Sequence, residues 1–173
     1  DVVIFACGYL TELPQLRNRI RSGEPTLLGW AVCLMCYPPF NSFSFQLVDH
    51  PLNEEWSRTS PGTGILVQVL TTLLWGLYVW ASVALGFRAS NLTNRGIVKT
   101  GPYRFMRHHA YVSKVSVWTL SSFFFGQKNF FLIISLIIVY SLRAWTEERH
   151  LSRDPDYLEY KKEVRWRFLP HIW

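Results

Sequence analysis

The 23 residues ILVQVLTTLLWGLYVWASVALGF, numbers 65–87, contain no charged side chain. A helix rises about 1.5 Å per residue, so a segment of this length can cross the ~30 Å hydrocarbon core of a membrane. Of the 173 residues in the chain, 49% are hydrophobic and only 17% are charged, below the quarter that is usual in a soluble domain. The sequence therefore predicts a small, all-α integral membrane protein.

The apolar stretches on either side of this segment are less regular. Residues 25–48 are uncharged but contain a Pro-Pro pair, which predicts a short or broken span because proline lacks a backbone donor and clashes with the preceding turn. Residues 115–127 and 129–142 are separated by a turn-like sequence around Lys128. We expect these two stretches to form a helical hairpin that returns to the same side of the bilayer, which makes the protein polytopic.

Basic residues are concentrated in three segments. Three Arg lie in 11–26, six Arg or Lys in 88–114 and seven in 143–173, whereas 41–62 contains three acidic residues. The positive-inside rule places all three basic segments in the cytoplasm. The formal net charge of +6 then fits an anionic lipid leaflet and requires no nucleic-acid partner. The expected location is the bacterial inner membrane or the endoplasmic reticulum.

The first group of charged residues beside an apolar stretch is GPYRFMRHHAY, residues 101–111. Charged groups at a membrane edge are costly to desolvate, so such a group usually serves a function. If a helix starts at Gly101, then Arg104, Arg107 and His108 share one face, and arginines beside a helix N-terminus favour an anion. The simpler alternative is that both arginines reach lipid phosphates.

The second group follows the predicted hairpin. Arg143 and Glu147 have the spacing of an i,i+4 ion pair, and Glu147 with Glu148 can equally hold a cationic ligand that carries hydroxyls. His150 lies close by, but the five His of the chain are too few for a histidine-rich membrane oxygenase, and we predict no metal. No Gly-x-Gly-x-x-Gly sequence follows a predicted strand, so a Rossmann-type nucleotide site is unsupported.

Near the C-terminus, charged residues alternate with Tyr157, Leu158 and Tyr160. Asp154 followed by Pro155 is typical of a helix start. These residues predict an amphipathic helix over 154–164 that lies near the lipid headgroups.

The charged groups, in kind and order, resemble the isoprenylcysteine carboxyl methyltransferase family, and phospholipid N-methyltransferases share the same broad pattern. The resemblance covers roughly residues 65–173, where it implies a methyltransferase-like membrane domain; residues 1–64 are expected to hold N-terminal membrane segments. It implies S-adenosylmethionine as cofactor, in a cytoplasmic pocket formed by the C-terminal half. The motifs that carry it are GPYRFMRHHAY (101–111), Glu147-Glu148, YLEY (157–160) and VRWRFLP (164–170).

The resemblance also implies roles for individual side chains. Arginine and histidine would hold the methionine carboxylate of the cofactor, an acid its ribose hydroxyls or amino group, and tyrosines its adenine or sulfonium. The implied cofactor-binding residues are Tyr103, Arg107, His108, Tyr111 and Glu148, and those implied to act in catalysis on the acceptor are Arg143, Glu147 and Arg167.

Departures from the family pattern affect both motifs. His109 stands where the family usually has Pro, and Ser113 where it has Gly. Arg165 and His171 replace the Pro and Gly of the closing motif. These changes bear on the geometry of the pocket and on the identity of the substrate.

The predicted reaction is methyl transfer from S-adenosylmethionine to a lipid-like or prenylated amphiphilic acceptor. A carboxylate acceptor, giving a methyl ester, is preferred, and a phospholipid amine is the alternative. Two other interpretations stay open: an NADPH-dependent sterol-type reductase, whose family has a similar closing pattern, and a non-catalytic membrane scaffold. The expected partners are this substrate and membrane lipids.

Overall fold

The computed structural model describes residues 2–37, 39–41, 61–124 and 130–170. Within these ranges the chain is mostly helical, which confirms the predicted helical class. The six α-helices of the described residues are α1 (Val2–Leu10), α2 (Leu27–Leu34), α3 (Pro61–Leu85), α4 (His109–Phe124), α5 (Phe130–Leu151) and α6 (Pro155–Glu163).

Short elements connect these helices. Three-residue or four-residue 3₁₀ helices cover Pro14–Leu16, Gly86–Arg88 and Gly101–Arg104. Strands β1 (Ser22–Gly23) and β2 (Thr93–Asn94) form an antiparallel pair in which Ser22 faces Asn94. The sequence did not predict this pair, which joins the N-terminal part of the chain to the segment after α3.

The predicted span lies in α3. Residues Gly62–Arg88 form the one helix, among the described residues, that is long and apolar enough to cross a membrane, with a mean hydropathy of 1.6. Only 17% of its most apolar stretch is buried inside the protein, so much of its apolar surface faces outward. Of the predicted broken span, α2 covers 27–34, and the part from residue 42 lies outside the described residues, as does the predicted turn around Lys128. The polytopic arrangement therefore stays a prediction.

The helices surround a small core at one end of α3. Helix α3 packs against α4, α4 against α5, and α5 against α2. The buried cluster joins α3, the segment after it and the C-terminal helix through Ala81, Val98, Tyr103, Tyr157, Tyr160 and Val164.

Helix α6 begins as predicted, but its apolar face packs on protein. Asp154 caps the helix by accepting a hydrogen bond from the Asp156 amide at 3.0 Å. Tyr157 and Tyr160 are each 3% exposed, and the Tyr160 hydroxyl donates to the Tyr103 carbonyl at 2.7 Å. The two tyrosines of this helix thus pack on protein, and its placement near the lipid headgroups stays a prediction.

The helix expected from Gly101 begins instead at His109. Gly101 has φ +63°, and the amides of Arg107 and His108 donate to the carbonyls of Trp166 and Arg167 at 3.0 and 3.1 Å. Because these amides are used across the fold, they cannot close helical turns of their own. The expectation of a shared helix face is wrong: Arg104 is exposed, whereas Arg107 and His108 are buried.

Candidate functional site

A cavity of about 170 Å³ lies where α2, α3, α4 and α5 meet the segment 88–98. Of the eight residues singled out in the sequence, six line it: Tyr103, Arg107, His108, Tyr111, Arg143 and Glu147. The other two, Glu148 and Arg167, are not among the lining residues. The structure thus brings residues from both motifs to one place.

Arg143 is a buried cation whose hydrogen-bond partners are neutral. Its side chain donates to the Tyr111 hydroxyl at 2.8 Å, the Asn91 side-chain oxygen at 2.6 Å and the Tyr37 hydroxyl at 3.3 Å. Its guanidinium carbon also lies 5.2 Å from the ring centroids of both Tyr37 and Tyr111. This arrangement fixes a positive charge at the cavity wall between two aromatic faces.

The Tyr111 hydroxyl connects Arg143 to Glu147. It accepts the hydrogen bond from Arg143 and donates to Glu147 Oε2 at 2.6 Å. The i,i+4 ion pair expected from the sequence is therefore replaced by a bridge through a third side chain. As a result, Glu147 keeps one carboxylate oxygen without a hydrogen bond to the described residues.

Glu148 lies behind the cavity wall and binds cations of the protein itself. Its Oε1 accepts hydrogen bonds from Arg107 Nε at 2.8 Å and His108 Nε2 at 3.1 Å, and its Oε2 accepts one from Arg167 Nη2 at 2.7 Å. Burial acts to raise the pKa of Glu148, but the hydrogen bonds from His108, Arg167 and Arg107 outweigh it and hold this pKa well below its usual value. The carboxylate is ionised, and both of its oxygens accept hydrogen bonds from protein side chains.

The closing motif is attached to the first motif along its backbone. Arg107 Nη1 donates to the carbonyls of Val164 and Arg165 at 2.6 and 2.8 Å, in addition to the backbone bonds made by Arg107 and His108. Together with the ion pair between Arg167 and Glu148, these bonds hold residues 164–167 against the start of α4. The fold therefore brings the motifs 101–111 and 164–170 together, which their spacing in the sequence did not predict.

Several lining residues were not singled out in the sequence. Tyr37 and Asn91 hold Arg143, and Lys114 adds a second cation whose Nζ lies 4.9 Å from the ring centroid of Tyr78. Lys114 follows Tyr111 by three residues, so helical periodicity in α4 could have predicted that both side chains lie on the same face. Tyr37 and Asn91 carried no such signal, because their role depends on contacts more than 50 residues apart.

His150 and Glu24 form a polar group at the edge of the cavity. Ser22 Oγ lies 2.9 Å from His150 Nε2, and His150 Nδ1 lies 3.9 Å from Glu24 Oε2. Arg149 Nη2 donates to Glu24 Oε1 at 3.1 Å. Burial lowers the pKa of His150, partly offset by the charge of Glu24. These contacts join the N-terminal segment to α5, so residues before 64 contribute to the site.

The two departures on α4 are accommodated inside the protein. His109 is 6% exposed and its ring meets the Tyr103 ring edge-on at 6.3 Å, while Ser113 is fully buried. Neither residue lines the cavity. Within the described residues, no three His, Cys, Asp or Glu side chains come together in a group suited to a metal ion.

In sequence comparisons, the chain matches no protein-family model and no curated protein.

Proposed function

We propose that this protein is a membrane enzyme that transfers a methyl group from S-adenosylmethionine to an amphiphilic acceptor. The observation that carries the proposal is the cavity itself. Six residues predicted from the sequence for such a site come from segments 103–111 and 143–147, and all of them line this cavity. Charged and aromatic groups converging on one cavity are typical of a site for a small polar ligand.

The donor set around the cavity fits this cofactor. The Tyr37 and Tyr111 rings suit a sulfonium or an adenine, and the remaining oxygen of Glu147 suits hydroxyl or ammonium groups. We assign the hydroxyl-binding role to Glu147, because the oxygens of Glu148 already accept hydrogen bonds from protein cations. Glu148 then positions Arg107 and His108.

The size of the cavity sets a condition on binding. At about 170 Å³ it is smaller than the ~300–1,000 Å³ that is usual for pockets holding drug-sized ligands. Part of a nucleoside cofactor fits without rearrangement, and the whole requires the surrounding helices to move apart.

The proposed reaction depends on alignment of the methyl donor with the acceptor more than on a nucleophile from the protein. When bound, S-adenosylmethionine supplies a methyl group on a sulfonium: the acceptor oxygen forms the new bond to carbon, and the sulfur leaves with the electron pair as a neutral thioether. The side chains of Arg143 and Lys114 hold an anionic acceptor in line. Positive charge on both residues favours a carboxylate acceptor over an amine.

The outward-facing apolar surface of α3 supports an acceptor with an apolar tail. Ile65, Leu73 and Val83 are more than half exposed, so lipid can lie against this helix. We propose that the tail enters sideways from the bilayer and that the cavity lies at its cytoplasmic side. Membrane lipids are then both the solvent and the source of the substrate.

The experiment supplies membranes containing the protein with methyl-labelled S-adenosylmethionine, then separates lipid from protein and treats each with mild base. The variants are Tyr111→Phe, which keeps the ring but removes the hydroxyl bridge, and Arg143→Lys, which keeps the charge but loses the fork geometry. Hydrogen bonds to charged groups contribute about 1.5–3 kcal/mol, so we expect each variant to lower label transfer about ten- to a hundredfold.

Arg153→Lys is the matched control, because Arg153 is exposed and away from the cavity. Base-labile label indicates an ester, and base-stable label indicates an amine acceptor. Full activity of both cavity variants would exclude this cavity as the site of transfer. Binding of NADPH in place of S-adenosylmethionine would instead support a reductase.

A further inference from the structure

A second, larger concavity of about 780 Å³ lies on the surface formed by the segment after α1, the end of α3 and the segment after β2. It adjoins the cavity above, with which it shares Arg88, Arg95, Gly96 and Ile97 as lining residues, and it is strongly basic. Among its lining residues are two carboxylates, Asp156 and Glu159, and six cations: Arg17, Arg19, Arg21, Arg88, Arg95 and Lys99.

The positive charge of this concavity is mostly not neutralised by the protein. Arg21 pairs with Asp154 and Asp156, and Lys99 pairs with Glu159 and Glu163. In contrast, Arg17 and Arg19 form no ion pair with any carboxylate of the described residues.

Among the described residues, Arg88 and Arg95 have only neutral partners. Arg88 Nη1 donates to the Ile97 carbonyl at 3.2 Å and lies within reach of the like charges of Arg17 and Arg21. Arg95 donates to the Gly8 carbonyl at 2.8 Å and to the Asn18 side-chain oxygen at 2.5 Å. Guanidinium groups that crowd together without counter-charges repel one another, and an external anion removes that repulsion.

The framework under these arginines is rigid. Asn18 is fully buried and donates to the carbonyls of Gly8 and Thr11 at 2.9 and 2.6 Å. The Arg21 amide donates to the Asn94 carbonyl at 2.8 Å, which fixes the other end of the segment. Arg17, between these anchors, has φ +52°, a conformation that is unfavourable for a residue with a side chain. The backbone that carries Arg17, Arg19 and Arg21 is therefore held by hydrogen bonds at both ends of the segment.

The position of the concavity indicates the source of the anion. Arg88 is the last residue of the helix Gly62–Arg88, so the basic groups lie at the end of the one described span. Lipid phosphates lie at the boundary where a spanning helix leaves the hydrocarbon, and basic pockets on the cytoplasmic side bind anionic headgroups. Arg17, Arg19 and Arg21 are exposed, whereas Arg88 is half-buried and Arg95 is buried. Several guanidinium groups around one concavity favour a phosphate by multiple hydrogen bonds.

We propose that this basic concavity binds the phosphate headgroup of an anionic phospholipid, on the side where Arg17, Arg19, Arg21 and Lys99 lie, none of which lines the cavity of the proposed methyl transfer. The inference shares with the proposed function the membrane placement of α3 and the residues that line both concavities.

The test titrates the full-length protein, in neutral detergent, with phosphatidylglycerol or phosphatidylcholine and counts bound lipids by native mass spectrometry. We expect one phosphatidylglycerol to bind at concentrations where phosphatidylcholine does not. Each arginine near the surface contributes about 1 kcal/mol, so Arg17→Gln with Arg19→Gln should weaken that binding about thirtyfold. Binding should also weaken as salt is raised.

Two further variants separate this site from general charge and from misfolding. Arg104→Gln with Arg153→Gln removes the same charge from exposed positions outside the concavity, and we expect less than a twofold change. Arg17→Gly removes one cation and relieves the positive φ, so the fold is retained while affinity falls about fivefold.

An equal loss in the control pair would overturn the proposal, because charge alone would explain it. So would unchanged binding in the Arg17 and Arg19 variants. Pyrophosphate that binds as tightly as the lipid, and displaces it, would show that the site takes a soluble phosphate and would overturn the lipid assignment. Binding of S-adenosylmethionine should be unaffected by these variants, so failure here is distinguishable from failure of the proposed methyl transfer.

Discussion

At the scale of single residues, Glu148 illustrates how a carboxylate beside a pocket can serve the protein instead of a ligand. Its side chain is 3% exposed and accepts hydrogen bonds from Arg107, His108 and Arg167. Removing one partner of such a buried group leaves the other charges without compensation. Substitution of Glu148 therefore tests the fold as much as the site, which is why Tyr111 and Arg143 are better probes of function.

His150 makes the stability of the protein dependent on pH. Burial lowers its pKa, so below the ordinary value of about 6.5 the unfolded chain takes up a proton that the folded protein does not. Stability should therefore decline as pH falls through 6.5 towards the lower pKa of the folded state. His109, whose pKa burial also lowers, acts in the same direction.

Thermal unfolding in detergent at pH 8 to 5 measures this effect. We expect the midpoint to fall between pH 6.5 and 5, and His150→Gln, which can keep the contact with Ser22, to make the decline shallower. Burial acts to raise the pKa of Glu24, but hydrogen bonds from Thr26 outweigh burial, so the pKa is lowered. The stability that the ionised Glu24 contributes is therefore lost only at more acid pH. Identical pH profiles for the two proteins would rule out His150 as a source of the dependence.

At the scale of elements, two faces of α5 have different contacts. Arg143, Glu147 and His150 lie at i, i+4 and i+7, and all three line the cavity. Glu148, the residue after Glu147, instead contacts Arg167 of the closing motif. A helix with 3.6 residues per turn presents adjacent residues about 100° apart. The adjacent acids Glu147 and Glu148 therefore serve different neighbours.

Helix α6 depends on its cap, and two substitutions of Asp154 separate the cap from the charge. One carboxylate oxygen accepts from the Asp156 amide, and the other accepts from Asn94 Nδ2 at 2.7 Å and Arg21 at 2.8 Å. We expect Asp154→Ala to lower the free energy of unfolding by about 2 kcal/mol, because it loses the cap and a buried hydrogen bond. Asp154→Asn keeps a cap oxygen and should lose less than about 1 kcal/mol.

Denaturant titration in mixed micelles compares the two variants. Asp156→Asn is the control: this residue is exposed, pairs only with the half-exposed Arg21, and should change stability by less than about 0.5 kcal/mol. Equal losses for the Ala and Asn variants of Asp154 would mean that charge, and not the cap, starts the helix.

At the scale of the whole molecule, the orientation of α3 can be tested by labelling. Its 25 residues span about 37 Å, so Gly62 and the basic segment after Arg88 should lie on opposite sides of a bilayer. Gly62 has open space around it, and Thr100 is exposed. In a variant lacking Cys7, Cys33 and Cys36, we expect Gly62→Cys to react with an impermeant maleimide in intact cells and Thr100→Cys only after lysis. Reaction of both in intact cells would contradict this topology.

The sequence by itself predicted the helical character, the long apolar helix α3, the start of α6 and six of the side chains that line the cavity. These follow from hydrophobic length, capping residues and charge spacing, which are local properties of the chain. Only the tertiary structure decided that α4 starts at His109, that Tyr111 bridges Arg143 and Glu147, and that Glu148 faces the closing motif. It also decided that the basic segments around Arg17, Arg88 and Arg95 converge. The physical reason is that burial and hydrogen-bond partners depend on segments far apart in the chain, which no local pattern encodes.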